Sequence, residues 1–277
     1  MQHHPESKSR PFLKWAGGKQ RLLSQILPLV QGGERLIEPF VGAGSVFLAS
    51  DHKRLVLNDL NADLISVWAA VQSRPKELIA AAQELFSEAH RSTAAYLALR
   101  QRYNSSQDSF ERAVAFLYLN RFGFNGLSRY NRAGEFNVPY GHPKTLPRLP
   151  VEPIERASRR LTDASLMTGH FRTAMAVAGE GDVVYCDPPY SASSVGASFV
   201  TYTAAAFGRA EHEELVACAK AAVKRGARVL ISNHDTAETR ELYQEFSLAA
   251  VHVRRSIAAS AGSRGEAAEI VAMLAPA

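Results

Sequence analysis

At 277 residues and 46% hydrophobic content, the chain has material for one large domain, or for a core domain carrying an inserted one. No run of about 18 apolar residues occurs, which excludes a membrane-spanning helix; two cysteines, Cys186 and Cys218, fit a reduced cytoplasmic setting without disulfides, and neither they nor the nine histidines show metal-ligand spacing, so no metal is expected. The net charge of +5 is unevenly spread: residues 67–168 hold 14 Lys+Arg against 9 Asp+Glu while the remainder is balanced, so an anionic partner, nucleic acid first, would meet the middle of the chain, with an ordinary basic surface as the equally open alternative.

The start, "MQHHPESKSR", is polar and lacks the apolar segment of a secretory signal. In "FLKWAGGKQRLL", Trp15 either stacks on a ligand or fills a core, and Lys19 either meets a carboxylate or ends a helix in solvent. Taken alone, the structural readings of both are favoured. "RLIEPFVGAGSVFLAS" reads as a short strand at Leu36-Ile37, a glycine turn and a helix from Ser45. "RLVLNDLNADLISVW" adds a strand at 55–57 ending at Asn58-Asp59, with Asn61 as the cap of the next helix. This is the front half of a doubly wound α/β sheet, so a Rossmann-like fold is expected.

From 67 to 163 the pattern turns helical. "PKELIAAAQELF", "TAAYLALRQRYN" and "SFERAVAFLYLN" carry helical spacing. Ser109 is expected to cap the last of these, with Phe110, Ala113, Val114 and Leu117 forming one apolar face. The irregular stretch "RFGFNGLSRYNRAGEFNVPYGHPKTLPRLP" follows, too aromatic for disorder and long enough to suggest an ordered functional loop. Alternation then returns. A strand is expected at 182–186, a helix in "GRAEHEELVACAKAAVKRG" closed by Gly226, a strand in "ARVLIS", and an antiparallel hairpin from "LAAVHVRRSIAAS" and "EAAEIVAMLA". The expected division is 1–66 with 164–277 as the catalytic domain, and 67–163 as a helical insertion.

Gly42 and Gly44 sit between a strand and a helix, where glycine lets the chain turn tightly and a ligand approach the backbone. G-x-G alone leaves a purely structural turn open. Asp59 at the end of the next strand strengthens the ligand reading, because an acid there can accept from ribose hydroxyls. Strand, glycine turn, helix, strand and acid form the layout of a site for an adenosine-containing ligand.

"GDVVYCDPPYSASS" ends a buried strand on two prolines. A strand terminator accounts for Pro188 and Pro189 but not for the flanking Asp187 and Tyr190. Prolines stiffen the chain and donate no N–H. The Asp187 carboxylate, the Pro188 carbonyl and the Tyr190 face then form a socket for a planar amine. Directing both N–H groups of an exocyclic amine to acceptors draws its lone pair out of conjugation and aims it at an electrophile, with no strong base required.

"KWAGGK", "EPFVGAGS", Asn58-Asp59 and "DPPY", in this order, resemble the Dam-type DNA adenine-N6 methyltransferases. The resemblance runs over nearly the whole chain, through "FLYLNRFGFNGLSRYNRAGEFNVPYG" and "ISNHDTAETRELY", and thins in 1–10 and 142–172. It implies a methyltransferase domain that binds S-adenosylmethionine (SAM) and releases S-adenosylhomocysteine, with an inserted target-recognition domain acting on double-stranded DNA. The implied cofactor residues are Trp15, Lys19, Phe40, Gly42, Gly44, Asp59 and Asp187, and Asp187, Pro188, Pro189 and Tyr190 are the implied catalytic tetrapeptide. The family flips its target adenine out of the duplex. In the insertion, Arg129 matches a guanine-reading arginine, Phe124 and Asn125 residues that fill or support the vacated stack, and Leu127 and Pro139 apolar base contacts, while Lys14, ahead of the insertion, matches a residue reaching the first guanine. Phe124 stands where tyrosine is common, which keeps a stacking face and loses a hydroxyl. Asn131 joins the DNA-contact set; Arg121, Arg132, Arg254 and Arg255 are phosphate-holding candidates. These matches imply GATC as the target. A cytoplasmic, nucleoid-associated or phage-encoded protein, monomeric in solution, is the expectation.

Cytosine-C5 methylation needs a cysteine nucleophile, usually after proline; Cys186 follows Tyr185 and Cys218 follows Ala217, so neither fits. Methylation of cytosine N4 or of an RNA adenine shares the tetrapeptide, but the insertion matches readers of duplex DNA. A non-catalytic DNA-binding descendant is disfavoured by the intact Gly42, Gly44, Asp59, Asp187 and Tyr190.

Overall fold

The computed structural model describes residues 10–189, 207–253 and 267–276. Seven strands form one sheet: β1 (Arg35–Glu38), β2 (Arg54–Asp59), β3 (Ala164–Thr168), β4 (Asp182–Cys186), β5 (Arg228–His234), β6 (Ser247–Val253) and β7 (Ala267–Leu274). Their spatial order is β3-β2-β1-β4-β5-β7-β6. The first five run parallel, and β7 lies antiparallel between β5 and β6. The chain winds one way from β1 through β2 to β3 and the other way from β4 outward. The switch point therefore lies between β1 and β4, where the carboxyl ends of parallel strands open a crevice.

Alternate residues of the central strands feed two cores, as period-2 pleating requires. Leu36, Leu57, Val183, Tyr185 and Leu230 face one layer; Ile37, Val56, Val184, Cys186 and Ile231 face the other. The second layer is α8 (Phe171–Ala176) and α9 (Arg209–Lys224), and Gly226 with φ +96° ends the turn after α9 as expected. The first layer holds α1 (Leu23–Val30), α2 (Ser45–Ala49) and α3 (Ala62–Ser73). Asn61 caps α3 by accepting from the Leu64 N–H at 3.1 Å.

The insertion continues that first core with α4 (Pro75–Leu85), α5 (Thr93–Ser105), α6 (Ser109–Phe122) and α7 (Val151–Arg160). Helix α3 runs unbroken through the expected boundary at 66/67, because Val67, Trp68 and Val71 bury on the same layer as Leu64. Two expectations for α6 are corrected. Its cap is Asp108, whose carboxylate accepts from the Glu111 N–H at 2.8 Å, and Ser109 is the first helical residue. Its apolar surface is no single stripe either: every residue from Ala113 to Asn120 is buried, because α3, α4 and α5 wrap it. Tyr118 and Phe122 stack within it at 4.1 Å between ring centroids.

The long loop after α6 is ordered by main-chain pairing and by α5. Gly123 bridges Tyr140, and Tyr130 bridges Phe136. Tyr96, Arg100 and Asn104 fall four residues apart on α5, so they share a face. The first two donate to the Val138 carbonyl at 3.0 Å, and the Asn104 carboxamide brackets Phe136 on both its N–H and its carbonyl. Among the described residues no helix is long and apolar enough to cross a membrane.

Candidate active site and nucleic-acid interface

β1 ends at Glu38, and the chain turns back on itself through Pro39 to Gly44. The turn is stitched to the end of β2: Val41 N–H donates to the Asn58 carbonyl at 2.8 Å, and Gly42 N–H to the Asp59 carboxylate at 3.0 Å. Trp68, fully buried on α3, donates its indole N–H to the Gly42 carbonyl at 3.1 Å. Both glycines hold positive φ, +48° at Gly42 and +72° at Gly44. A Cβ on Gly44 would stand 2.1 Å from the Phe47 ring, and one on Gly42 3.0 Å from Trp15 Nε1. The G-x-G spacing is thus a backbone requirement.

Asn58 and Asp59 serve different ends. Asn58 is buried and its amide donates to the Pro39 and Gly169 carbonyls, both at 2.9 Å, tying the carboxyl ends of β1, β2 and β3 together. The Asp59 carboxylate accepts from the N–H groups of Gly42 and Asn61, each at 3.0 Å. Burial pushes its carboxyl up from the ordinary range, opposed by the N–H groups of Asn61, Gly42 and Leu60. Leu60 beside it is 55% exposed, an apolar surface next to an acid. Its signal in the sequence was its place after Asp59.

Lys19 sits under the end of β4. It is 4% exposed, with Nζ 2.7 Å from Asp187 Oδ1 and 3.8 Å from Glu269 Oε2, and it donates to the Gly17 carbonyl at 3.1 Å. Asp187 follows β4 and Glu269 lies on β7, so three distant segments meet. Trp15 is half-buried against the glycine turn, and Phe40 packs at 5.3 Å on Phe171 and 5.7 Å on Phe207. Pro188 is buried and Pro189 exposed. Tyr190, the 191–201 stretch and Arg254-Arg255 lie outside the described residues.

Glu38 carries a signal that spacing could not show. Its carboxyl is buried, and Oε1 has no hydrogen-bond partner among the described residues. Burial pushes its pKa well above the ordinary value of 4.5, the Phe47 N–H opposes this, and the Asp187 charge adds to it. The folded state therefore holds this proton more tightly than the unfolded chain. That contribution is complete below about pH 4.5 and is lost as pH rises toward the folded value. Glu38→Gln removes the titration, so its unfolding free energy, measured in denaturant against the parent, should gain with each pH step above about 5, by up to about 1.4 kcal/mol per unit. A difference that stays constant from about pH 5 to 7 would show that Glu38 is not protonated in the fold.

The recognition candidates other than Lys14 and Arg121 gather on the tip of the 123–150 loop. The Phe124 N–H donates to the Pro139 carbonyl at 2.9 Å, which sets these two exposed residues side by side. Asn125 is exposed at φ +53°, and Leu127 is half-buried. Arg129 is exposed and held in plane by Asn137, with Nε 2.8 Å from the carboxamide oxygen and Nη2 3.3 Å from the carbonyl. Two of the guanidinium's five donors serve that hold. Asn137 was not singled out by spacing. Asn131 spends its side chain inside the tip, bonding Glu135 and the N–H groups of Ala133 and Glu135. Arg132 is exposed on that turn. Arg121 faces inward and donates to the Phe12 carbonyl, and burial lowers its pKa. Lys14 has its ammonium pKa lowered by burial and by Arg121. Tyr130, in mid-tip, donates to Asp63 at 2.9 Å; Asp63 also holds Arg112.

A cleft of about 410 Å³ is lined by Trp15, Gly18, Ala43 and Ser45 beside the glycine turn together with Lys14 and Asn125 to Leu127. The arrangement offers a tight glycine turn, a carboxylate just past β4 at the switch point and an exposed loop carrying Phe124, Arg129 and Arg132. Comparison with known sequences agrees. The family described as D12 class N6 adenine-specific DNA methyltransferase matches residues 15–257. The chain is 46% identical over 269 residues to the DNA adenine methylase of Escherichia coli (strain K12), covering 97% of this chain and 96% of that one. It is 42% identical to the DNA adenine methylase of Serratia marcescens, with 96% and 98% covered, and 40% identical to that of Vibrio cholerae serotype O1, with 97% of each covered.

Proposed function

The chain belongs to the D12 class of N6 adenine-specific DNA methyltransferases, and from that premise we propose that it methylates adenine within GATC, using SAM, on a base flipped out of the duplex. The observation that carries this reading is the convergence at the β1/β4 switch point. The glycine turn is bonded to Asp59 there and Lys19 pairs with Asp187 just past β4, while a neighbouring cleft lined by Trp15, Ala43 and Ser45 also takes in Lys14, Asn125 and Leu127.

The residues present fit an adenosine cofactor. The Gly42–Gly44 turn admits no Cβ without displacing Trp15 or Phe47, Asp59 presents a carboxylate beside it, and Leu60 offers an apolar face. Trp15, Lys19, Gly42, Gly44 and Asp59 would hold SAM, with Phe40 supporting the wall behind the turn. Bound there, SAM supplies an electrophilic methyl on a sulfonium.

The chain's own part is orientation. Lys19 fixes the Asp187 carboxylate at 2.7 Å. Asp187 and the Pro188 carbonyl accept the two N–H groups of the adenine amine and turn its lone pair out of the ring plane, while Tyr190 stacks on the base. Alignment of this kind lowers barriers by removing entropy cost ahead of the chemical step. The amine loses its proton after attack, so no strong base is needed. A duplex-buried base reaches such a socket only by flipping.

The helical block α4 to α7 with its loop is the target-recognition part on this reading. Arg129 reads a guanine, Lys14 reaches another, Leu127 and Pro139 make apolar base contacts, Phe124 and Asn125 support the opened stack, and Asn131 orders the turn that carries Arg132. The test uses purified protein, tritiated SAM and two duplexes differing only in GATC versus GTAC, with the labelled base identified. Label on N6 of adenine in GATC alone is expected; equal label in both would discard the target assignment. Arg129→Ala should cost about 1–3 kcal/mol of discrimination at one guanine, read as the ratio of kcat/KM for matched and substituted sites. An unchanged ratio would remove Arg129 from the reading set.

A further inference from the structure

We propose that Asn120 is a positioning residue for base recognition: its carboxamide fixes the main chain of Lys14 against the recognition loop and so determines which base pair Lys14 meets. The inference rests on the reading of Lys14 as a base contact. It starts from three hydrogen bonds. Asn120, near the end of α6, is 2% exposed, and its side chain points at a segment 106 residues away. Lys14 N–H donates to Asn120 Oδ1 at 2.8 Å, and Asn120 Nδ2 donates to the Lys14 carbonyl at 2.8 Å and to the Gly126 carbonyl at 3.2 Å.

One carboxamide thus replaces a neighbouring strand for Lys14 and ties it to the start of the tip. The carboxamide of Asn or Gln offers a donor and an acceptor side by side in one plane. The adjacent Arg121 holds the Phe12 carbonyl, so consecutive residues of α6 grip the N-terminal segment at two points. The Lys14 stem then lies directly on Gly126. That glycine holds φ +65°, and a Cβ there would stand 2.4 Å from Lys14 Cδ and 2.6 Å from Lys14 Cβ. Main chain, stem and tip are therefore locked in one arrangement, at the cleft that Lys14, Asn125 and Leu127 help line. A merely structural asparagine would lower stability and blur every base position alike. A positioning asparagine relaxes one position.

The experiment methylates a pool of duplexes in which the bases flanking a fixed adenine are randomised, and sequences the methylated fraction. Parent, Lys14→Ala, Asn120→Ser and Gly126→Ala are compared, each checked by thermal melting. The position that relaxes in Lys14→Ala should relax by about tenfold in the other two, with the Arg129 position retained, and Asn120→Ser should add nothing at that position in a Lys14→Ala background. Asn120→Ser and Gly126→Ala that keep parental discrimination there, or lose it at all positions equally, would overturn the proposal. If Asn120→Ser does not fold, Gly126→Ala alone decides by the same criterion. If Lys14→Ala relaxes nothing, the base-reading role of Lys14 fails and the inference falls with it, a pattern distinct from failure of Asn120 alone.

Discussion

Asp187→Ala is expected to lower methyl transfer by at least about 10³-fold while duplex binding stays within a few-fold of the parent. Asp187 stands just past the buried strand β4 at the switch point, with 20% side-chain exposure and one oxygen 2.7 Å from Lys19. It is the one carboxylate of the proposed amine socket, so alanine removes both an acceptor and the negative charge that stabilises positive charge developing on the attacking nitrogen. The bonds that order the recognition tip come from α5, Asp63 and Asn137 and do not involve Asp187. Single-turnover transfer of tritiated methyl and a gel-shift titration on the same duplex measure the two quantities. A variant that retains parental turnover would end the assignment of Asp187, whereas loss of both transfer and DNA binding would point to a folding defect.

Lys19→Met has the second largest expected effect. Methionine keeps most of the side-chain stem and removes its charge, leaving Asp187 and Glu269 with no ammonium between them and the buried Glu38 carboxyl close by. Removing one partner of a buried pair typically costs about 3–5 kcal/mol, because the remaining charge has lost its counterion. Denaturant unfolding should show a loss in that range, and calorimetric titration should show SAM affinity reduced by more than about tenfold. The signature that separates charge from packing is the double variant: Glu269→Gln added to Lys19→Met should recover part of the stability. If it recovers none, the loss comes from the lysine stem and not from unbalanced carboxylates.

Where a local pattern was enough, reading was accurate to the residue. The strand at 182–186 is bounded by Gly181 and by Asp187-Pro188, and all five of its residues are buried, so an apolar run between turn residues had one interpretation. The glycine turn, the Asn61 cap and the terminal hairpin were equally local. The cap of α6 went to Asp108 and not Ser109 because adjacent residues compete for it and only loop geometry decides. The all-round burial of α6 escaped the stripe argument because its neighbours come from three other helices. The edge strand β3 and helices α1, α7, α8 and α10 (Ala237–Leu242) were not anticipated; β3 is only partly buried and has no strong apolar run.

By itself, the sequence determined the α/β class, the position of the glycine turn, the strand that ends at Asp187-Pro188, and the family, because each is written in contiguous residues whose spacing carries the physics. The tertiary structure alone decided what Lys19, Glu38, Asn58, Asn120 and Asn137 do. Lys19, for which the local reading favoured a solvated helix end over a carboxylate partner, is buried on a carboxylate 168 positions away, and Asn120 grips a main chain 106 residues before it. Such pairings leave no trace in local periodicity: what a charge or a carboxamide contributes depends on the partner that folding brings to it, and desolvation makes that partner obligatory.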